Sequence, residues 1–194
     1  MLKNQLRPAI LVTLLLMVIT GLAYPGLVTA VAQLLFPHQA NGSLVVVNGK
    51  VVGSALIGQQ FARAEYFHSR PSAAGGGYDD TLSAGTNLGP TSAKLADTLI
   101  AQAVDSEVRL DSAVKGRVPA DLVTSSGSGL DPHISPASAA LQVARVARAR
   151  GLSEVAVRAV VARHTAGRTF GILGEPRVNV LELNLALDSL HGAR

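Results

Sequence analysis

No Asp, Glu, Lys or Arg occurs between Arg7 and Lys50, and within that gap Ala9 to Phe36 reads AILVTLLLMVITGLAYPGLVTAVAQLLF. About 20 apolar residues suffice for a helix to cross a bilayer, so this run is expected to be a membrane-spanning helix over residues 8–36. The remaining chain is polar enough to fold in water. Lys3 and Arg7 are the only charges before the run. Flanking Lys and Arg stay on the cytoplasmic side, so residues 1–7 are expected inside the cell and residues 37–194 outside. A cleaved signal peptide is the rival reading, with Ala30-Val31-Ala32 as the cleavage site. A signal core is usually about 7–15 residues, whereas this run stays apolar through Leu34, Leu35 and Phe36, which favours an uncleaved anchor. Pro25 is expected to break or kink the helix.

The formal net charge is +4, half of it from Lys3 and Arg7, so the rest of the chain is close to balanced. No dense Lys/Arg stripe follows the helix, and composition gives nucleic-acid binding no support. Cysteine is absent, which excludes thiolate metal sites and a cysteine nucleophile. With no Trp and 4% aromatic residues, the core must be built from Ala, Val, Leu and Ile.

Residues 37–194 make one domain of ordinary size, with no linker or internal repeat. Leu44–Val47, Asn48-Gly49 and Lys50–Val52 read as a β-hairpin on a type I′ turn, with Ser54–Ile57 extending its second strand. Phe61–Phe67 reads as strand or irregular. Pro71–Pro90, PSAAGGGYDDTLSAGTNLGP, reads as a long surface loop. The second half reads as helices. Leu95, Leu99 and Ala103 recur every four residues. Ser135-Pro136 caps a helix that ends at Gly151. Ser138, Gln142 and Arg145 mark its polar face, and Ala140, Leu141, Ala144 and Ala147 its apolar one. Ser153 caps the next helix, with Leu152 and Val157 as a hydrophobic staple and Glu154–Arg158 as an ion pair. Asn179 with Glu182 imitates a capping box, Val178 and Leu183 a second staple, and Val180, Leu183, Leu187 and Leu190 a core-facing stripe. Strands first and helices later point to an α+β or small α/β domain behind one transmembrane helix.

The polar segment Leu122–Pro136, LVTSSGSGLDPHISP, is where chemistry would lie. Its glycines ahead of a helix could cradle a phosphate, but no P-loop lysine accompanies them. Ser125, Ser126 or Ser128 with Asp131 and His133 has the composition of a hydrolase triad, without the nucleophile elbow. Asp131, His133 and His164 are too few for a convincing metal site. Turn and capping chemistry accounts for the segment best. Glu65, Asp79, Asp80 and Asp131 are too scattered to be a carboxylate pair, and Arg145, Arg148 and Arg150 read as a solvated face.

The block Leu122–Pro136 resembles the signature of the KdpC family, the C subunits of the Kdp potassium-transporting P-type ATPase. So do GSALIGQQF at Gly53–Phe61, YFHSRPSAAGGGYD at Tyr66–Asp79, SAGTNLGPTS at Ser83–Ser92, VPADLV at Val118–Val123 and GEPRVNVLELNLALD at Gly174–Asp188. The blocks fall in the family's order and span nearly the whole chain, with Gln102–Arg117 and the last few residues the least family-like parts. The resemblance implies a non-catalytic, single-pass subunit of the bacterial cytoplasmic (inner) membrane. Its partners would be a channel-like K+-binding subunit, a P-type pump subunit and a small single-span subunit, in membrane lipid. The complex would use ATP and K+, with neither assigned directly to this chain. Two roles attach to such subunits: assisting ATP binding by the pump subunit, and covering the outer entrance of the channel-like subunit. An exported domain cannot reach a cytoplasmic ATP site, which favours the second. The candidate partner- or nucleotide-contact loop is Ser125, Ser126, Gly127, Ser128, Gly129, Asp131 and His133, and a candidate docking loop contains Asn87, Gly89 and Pro90. A different class of reading is an anchored hydrolase using Ser126 and His133.

Overall fold

The structure is a computed structural model that describes residues 2–110 and 118–191. The weakly family-like stretch 102–117 is therefore described only to Leu110, and Met1 and residues 192–194 of the expected termini also lie outside. The chain forms two compact units, 1–51 and 52–194.

The first unit is dominated by α1 (Leu2–Val18), a wide π-type turn at Ile19–Ala23 and α2 (Tyr24–Leu35). Together they are one helix long and apolar enough to cross a membrane, Asn4–Leu35, with mean hydropathy 2.2 and none of it buried. At a rise of about 1.5 Å per residue it is about 48 Å long, more than the ~30 Å hydrocarbon layer. Pro25 does not break it. The proline has no N–H to donate and its ring crowds the carbonyl one turn back. The backbone widens immediately upstream, where the Tyr24 amide reaches Ile19 O. Thr20 turns its hydroxyl onto its own helix, 2.7 Å from Leu16 O. After α3 (Pro37–Ala40), the strands β1 (Leu44–Val47) and β2 (Lys50–Ser54) form the expected hairpin. Asn48 and Gly49 sit at φ 51° and 76°, as a type I′ turn requires. β2 stops at Ser54 rather than running on to Ile57, because the Ile57 amide turns back to Ser54 O and the Leu56 amide to Ser54 Oγ.

The second unit is α+β. A π-type turn (Lys94–Ile100) leads into α4 (Ala101–Leu110), and the short α5 (Ala120–Val123) follows. Strands β3 (His133–Ile134), β4 (Thr165–Ala166) and β5 (Arg177–Asn179) make an antiparallel sheet ordered β3-β5-β4, with Ile134 and Thr165 flanking Val178. Helices α6 (Pro136–Arg150), α7 (Glu154–Arg163) and α8 (Val180–His191) pack around one core of Phe67, Ile134, Val143, Val146, Val157, Val160, Val178, Leu183 and Leu187. The expected caps are in place. Ser135 Oγ accepts from the Ser138 amide and Ser153 Oγ from that of Ala156, while Gly151 closes α6 at φ 63°. Asn179 Oδ1 accepts from the Glu182 amide at 3.1 Å.

Three further expectations are overturned. Ser138, Gln142 and Arg145 point inward, at 0, 2 and 3% exposure, while Ala140 lies at the surface. Arg145 and Arg150 are buried rather than solvated; only Arg148 of the three is exposed. Leu190, at 43% exposure, lies off the stripe that buries Val180, Leu183 and Leu187.

Candidate functional site

The reason for the inverted α6 lies in residues 63–68. This stretch belongs to no strand or helix, yet Phe67 is fully buried. Buried backbone N–H and C=O groups need partners, and here side chains supply them. Asn184 of α8 accepts from the Phe67 amide at 2.8 Å and donates to its carbonyl at 3.0 Å. Gln142 of α6 does the same for His68, at 2.7 and 3.2 Å. Arg145 donates to Ala64 O at 2.7 Å, Tyr66 O at 2.9 Å and Gln142 Oε1 at 2.6 Å. Arg150 donates to Glu65 O at 2.6 Å and Asp188 at 2.8 Å, and lies over the Tyr66 ring. The two carboxamides thus act as substitute strands. The clue in the sequence was Val143 and Val146, the only large apolar residues of α6 besides Leu141. Both are buried and they carry residues 142 and 145 inward with them.

The same network perturbs two ionisable groups. Burial, with the Arg145 charge, lowers the His68 pKa to about 4. Burial raises that of Glu107, against the attraction of Arg145. Both groups face a cleft of about 320 Å³, which Arg70, Ser72 and Tyr78 also line.

On this scaffold the two small-residue segments, 71–90 and 124–131, lie backbone against backbone. Ser128 O accepts from the Ala84 amide and the Ser83 hydroxyl, both at 3.0 Å. Ser72 Oγ donates to Gly129 O at 2.7 Å and accepts from the Tyr78 amide at 2.8 Å. The Tyr78 hydroxyl donates to Arg70 O. A Cβ at Gly129, which also sits at φ 69°, would lie 2.5 Å from Ala84 O and 2.7 Å from the Ala74 nitrogen, so only glycine fits. The 71–90 segment is mostly at the surface, as expected for a loop, but it is pinned there, with Ala74 fully buried.

Each expected site residue can now be placed. Ser125 offers its carbonyl to Arg70 at 3.4 Å. Ser126 Oγ accepts from the Gly129 amide at 2.9 Å, and Ser128 Oγ from that of Leu130 at 3.1 Å. Gly127 is open to solvent on its Cβ side. Asp131 takes an ion pair from Arg70 at 3.1 Å and the His133 amide at 3.0 Å, and lies 3.5 Å from His133 Nδ1. Burial works to raise the Asp131 pKa, but hydrogen bonds from His133 and the Arg70 charge outweigh it and hold the carboxyl below its usual range. Among the described residues no serine hydroxyl bonds His133. Ser126, the nucleophile of the hydrolase reading, is occupied by its own turn and by Ser128 Oγ at 3.3 Å. No three His, Asp or Glu residues gather into a metal site among those described. Asn87, at φ 53°, and Gly89 and Pro90 are exposed on the neighbouring loop. They adjoin a cleft of about 290 Å³ lined by Leu88, Leu95, Leu99, Val123 and Ser125. Arg70, which joins Thr124, Ser125 and Asp131, is the central residue that sequence reasoning missed. An arginine far away in sequence carries no local signal of its partner.

A long, apolar, unburied helix followed by an α+β unit defines a class: a small α+β domain behind one helix long and apolar enough to cross a membrane. The comparisons narrow this. The profile of the family KdpC, K+-transporting ATPase, c chain, matches residues 6–189. A potassium-transporting ATPase KdpC subunit of Gemmatimonas aurantiaca is 64% identical over 188 residues, covering 96% of this chain and 94% of that one. The subunits of Sorangium cellulosum and Koribacter versatilis are 60% and 54% identical, each covering at least 95% of both chains. The chain belongs to the KdpC family.

Proposed function

We propose that this chain is the non-catalytic C subunit of an ATP-driven, high-affinity K+ uptake complex. Its helix is retained in the cytoplasmic membrane with residues 1–7 inside. Its domain lies outside, where it supports assembly and covers the outer entrance of the channel-like subunit. The pump subunit and a small single-span subunit complete the complex, which uses the ATP and the K+. The match to the family over residues 6–189 carries the reading. Supporting the role outside the cell is the absence of charge between Arg7 and Lys50 behind a positive N-terminus. Supporting docking over nucleotide binding are the amides of Gly129 and Leu130, already donated to Ser126 and Ser128. Those amides are what a phosphate cradle would need free.

Alkaline phosphatase fused after Arg194 should be active, which needs export; an inactive fusion with an active cytoplasmic reporter would reverse the orientation. Ser126→Ala with His133→Ala should leave the chain folded and weaken assembly or K+-dependent ATPase activity. Micromolar ATP binding by the unaltered chain, lost in that double variant, would replace docking with direct assistance to the nucleotide site.

A further inference from the structure

Two turns of the chain, a two-residue turn between β1 and β2 and a three-residue turn inside the Thr169–Leu173 bridge, place a non-glycine residue followed by glycine at positive φ. In the β1–β2 hairpin, Asn48-Gly49 sit at φ 51° and 76°. Between β4 and β5, Phe170-Gly171 sit at 54° and 77°. Asparagine adopts that left-handed conformation readily; phenylalanine does so at a penalty. The second turn nevertheless holds Phe170 there, with its ring 89% exposed. Ile172 and Leu173 beside it are 74% and 57% exposed. The tip is firmly built. Thr169 and Leu173 exchange both backbone hydrogen bonds, at 2.8 and 2.9 Å. At its base Arg168 donates to both carboxylate oxygens of Glu175, at 2.7 and 2.8 Å. A strained backbone and three large apolar side chains in water are local penalties with no local return, so the return lies outside this chain.

We infer that the 169–173 tip is a docking finger that inserts Phe170, Ile172 and Leu173 into an uncharged apolar pocket on another subunit of the complex. Charge selects a protein over a bilayer surface. Arg168 is the only charged residue between Gly167 and Gly174, and Glu175 already neutralises it. A finger that enters anionic headgroups needs free basic residues around its apolar tip. A neutral finger with a protruding aromatic ring has instead the composition of an interface anchor, a few side chains carrying most of the binding. The inference rests on the subunit reading above and names one surface it uses.

The test uses the full chain co-expressed with the other subunits. Benzoylphenylalanine placed at position 170 should give a light-dependent adduct with another subunit. Adducts confined to lipid, or none, would overturn the inference. Phe170→Asn installs the residue the turn prefers, so the chain should melt at the same or a higher temperature. It should leave the complex about tenfold faster on dilution. Unchanged retention would overturn the finger while leaving the subunit reading intact. Failure of the unaltered chain to co-purify would overturn the subunit reading and the finger with it.

Discussion

The N-terminal helix and α6 break the rule of apolar inside and polar outside in opposite directions. In the first, the large apolar side chains are 45–81% exposed, and lipid is the environment that makes such a surface favourable. In the second, Gln142 and Arg145 are buried inside the α+β unit. They are there because the backbone of residues 64–68 enters the core without a neighbouring strand and must be hydrogen-bonded by something. Facing is therefore set by what a position has to satisfy, and hydropathy is only one such demand.

Removing a member of the buried network should show the largest effect. Arg145→Ala would leave Ala64 O, Tyr66 O and Gln142 Oε1 short of a donor. We expect a loss of about 3–5 kcal/mol, read by denaturant unfolding of the full chain in detergent. A loss below about 1 kcal/mol would mean the buried polar face behaves as a surface one.

The opposite experiment places a charge where apolar residues belong. Leu15→Arg, in the last turn of α1 and well inside the Asn4–Leu35 span, should weaken insertion by about 2.5–3.5 kcal/mol. The chain should become partly extractable from membranes by alkaline carbonate. Full retention would argue that the helix faces protein or water at that level.

Acid tests the network without mutation. The folded-state pKa of His68 lies near 4, below the ordinary value of 6.5. The unfolded chain therefore takes up a proton first as pH falls. Stability from this group is complete above about pH 6.5 and declines between 6.5 and 4, by on the order of 2 kcal/mol. His68→Gln should flatten that part of the stability–pH curve; an unaltered slope would assign the acid sensitivity to other groups.

A hydrogen bond at the surface calibrates the scale. Ser153→Ala removes the cap on the Ala156 amide, 3.2 Å long and exposed, and should lower stability by about 1 kcal/mol. If that change equalled Arg145→Ala, burial would not be what makes the α6 network strong.

The candidate loop was legible as turn chemistry because its bonds are short-range. Ser126 to Gly129, Ser128 to Leu130 and Asp131 to His133 all lie within three residues. Its other half was not legible. The Ser83 and Ala84 contacts to Ser128, and Arg70 to Asp131, cross 44 to 61 residues of chain. Nothing at either end of such a pair specifies the other.

The amino-acid sequence alone determined the long N-terminal helix, the Asn48-Gly49 hairpin, the caps at Ser135, Ser153 and Asn179, and the stop at Gly151. Each depends on solvent preference, on allowed backbone angles or on hydrogen bonds spanning one turn, and these act on neighbours in the chain. Only the tertiary structure decided that Gln142, Arg145, Arg150 and Asn184 turn inward, that the two small-residue loops pair, and that Leu190 stays in water. Those outcomes depend on which distant backbone arrives unpaired in the core. An unpaired buried amide or carbonyl costs more than bringing a polar side chain in to meet it.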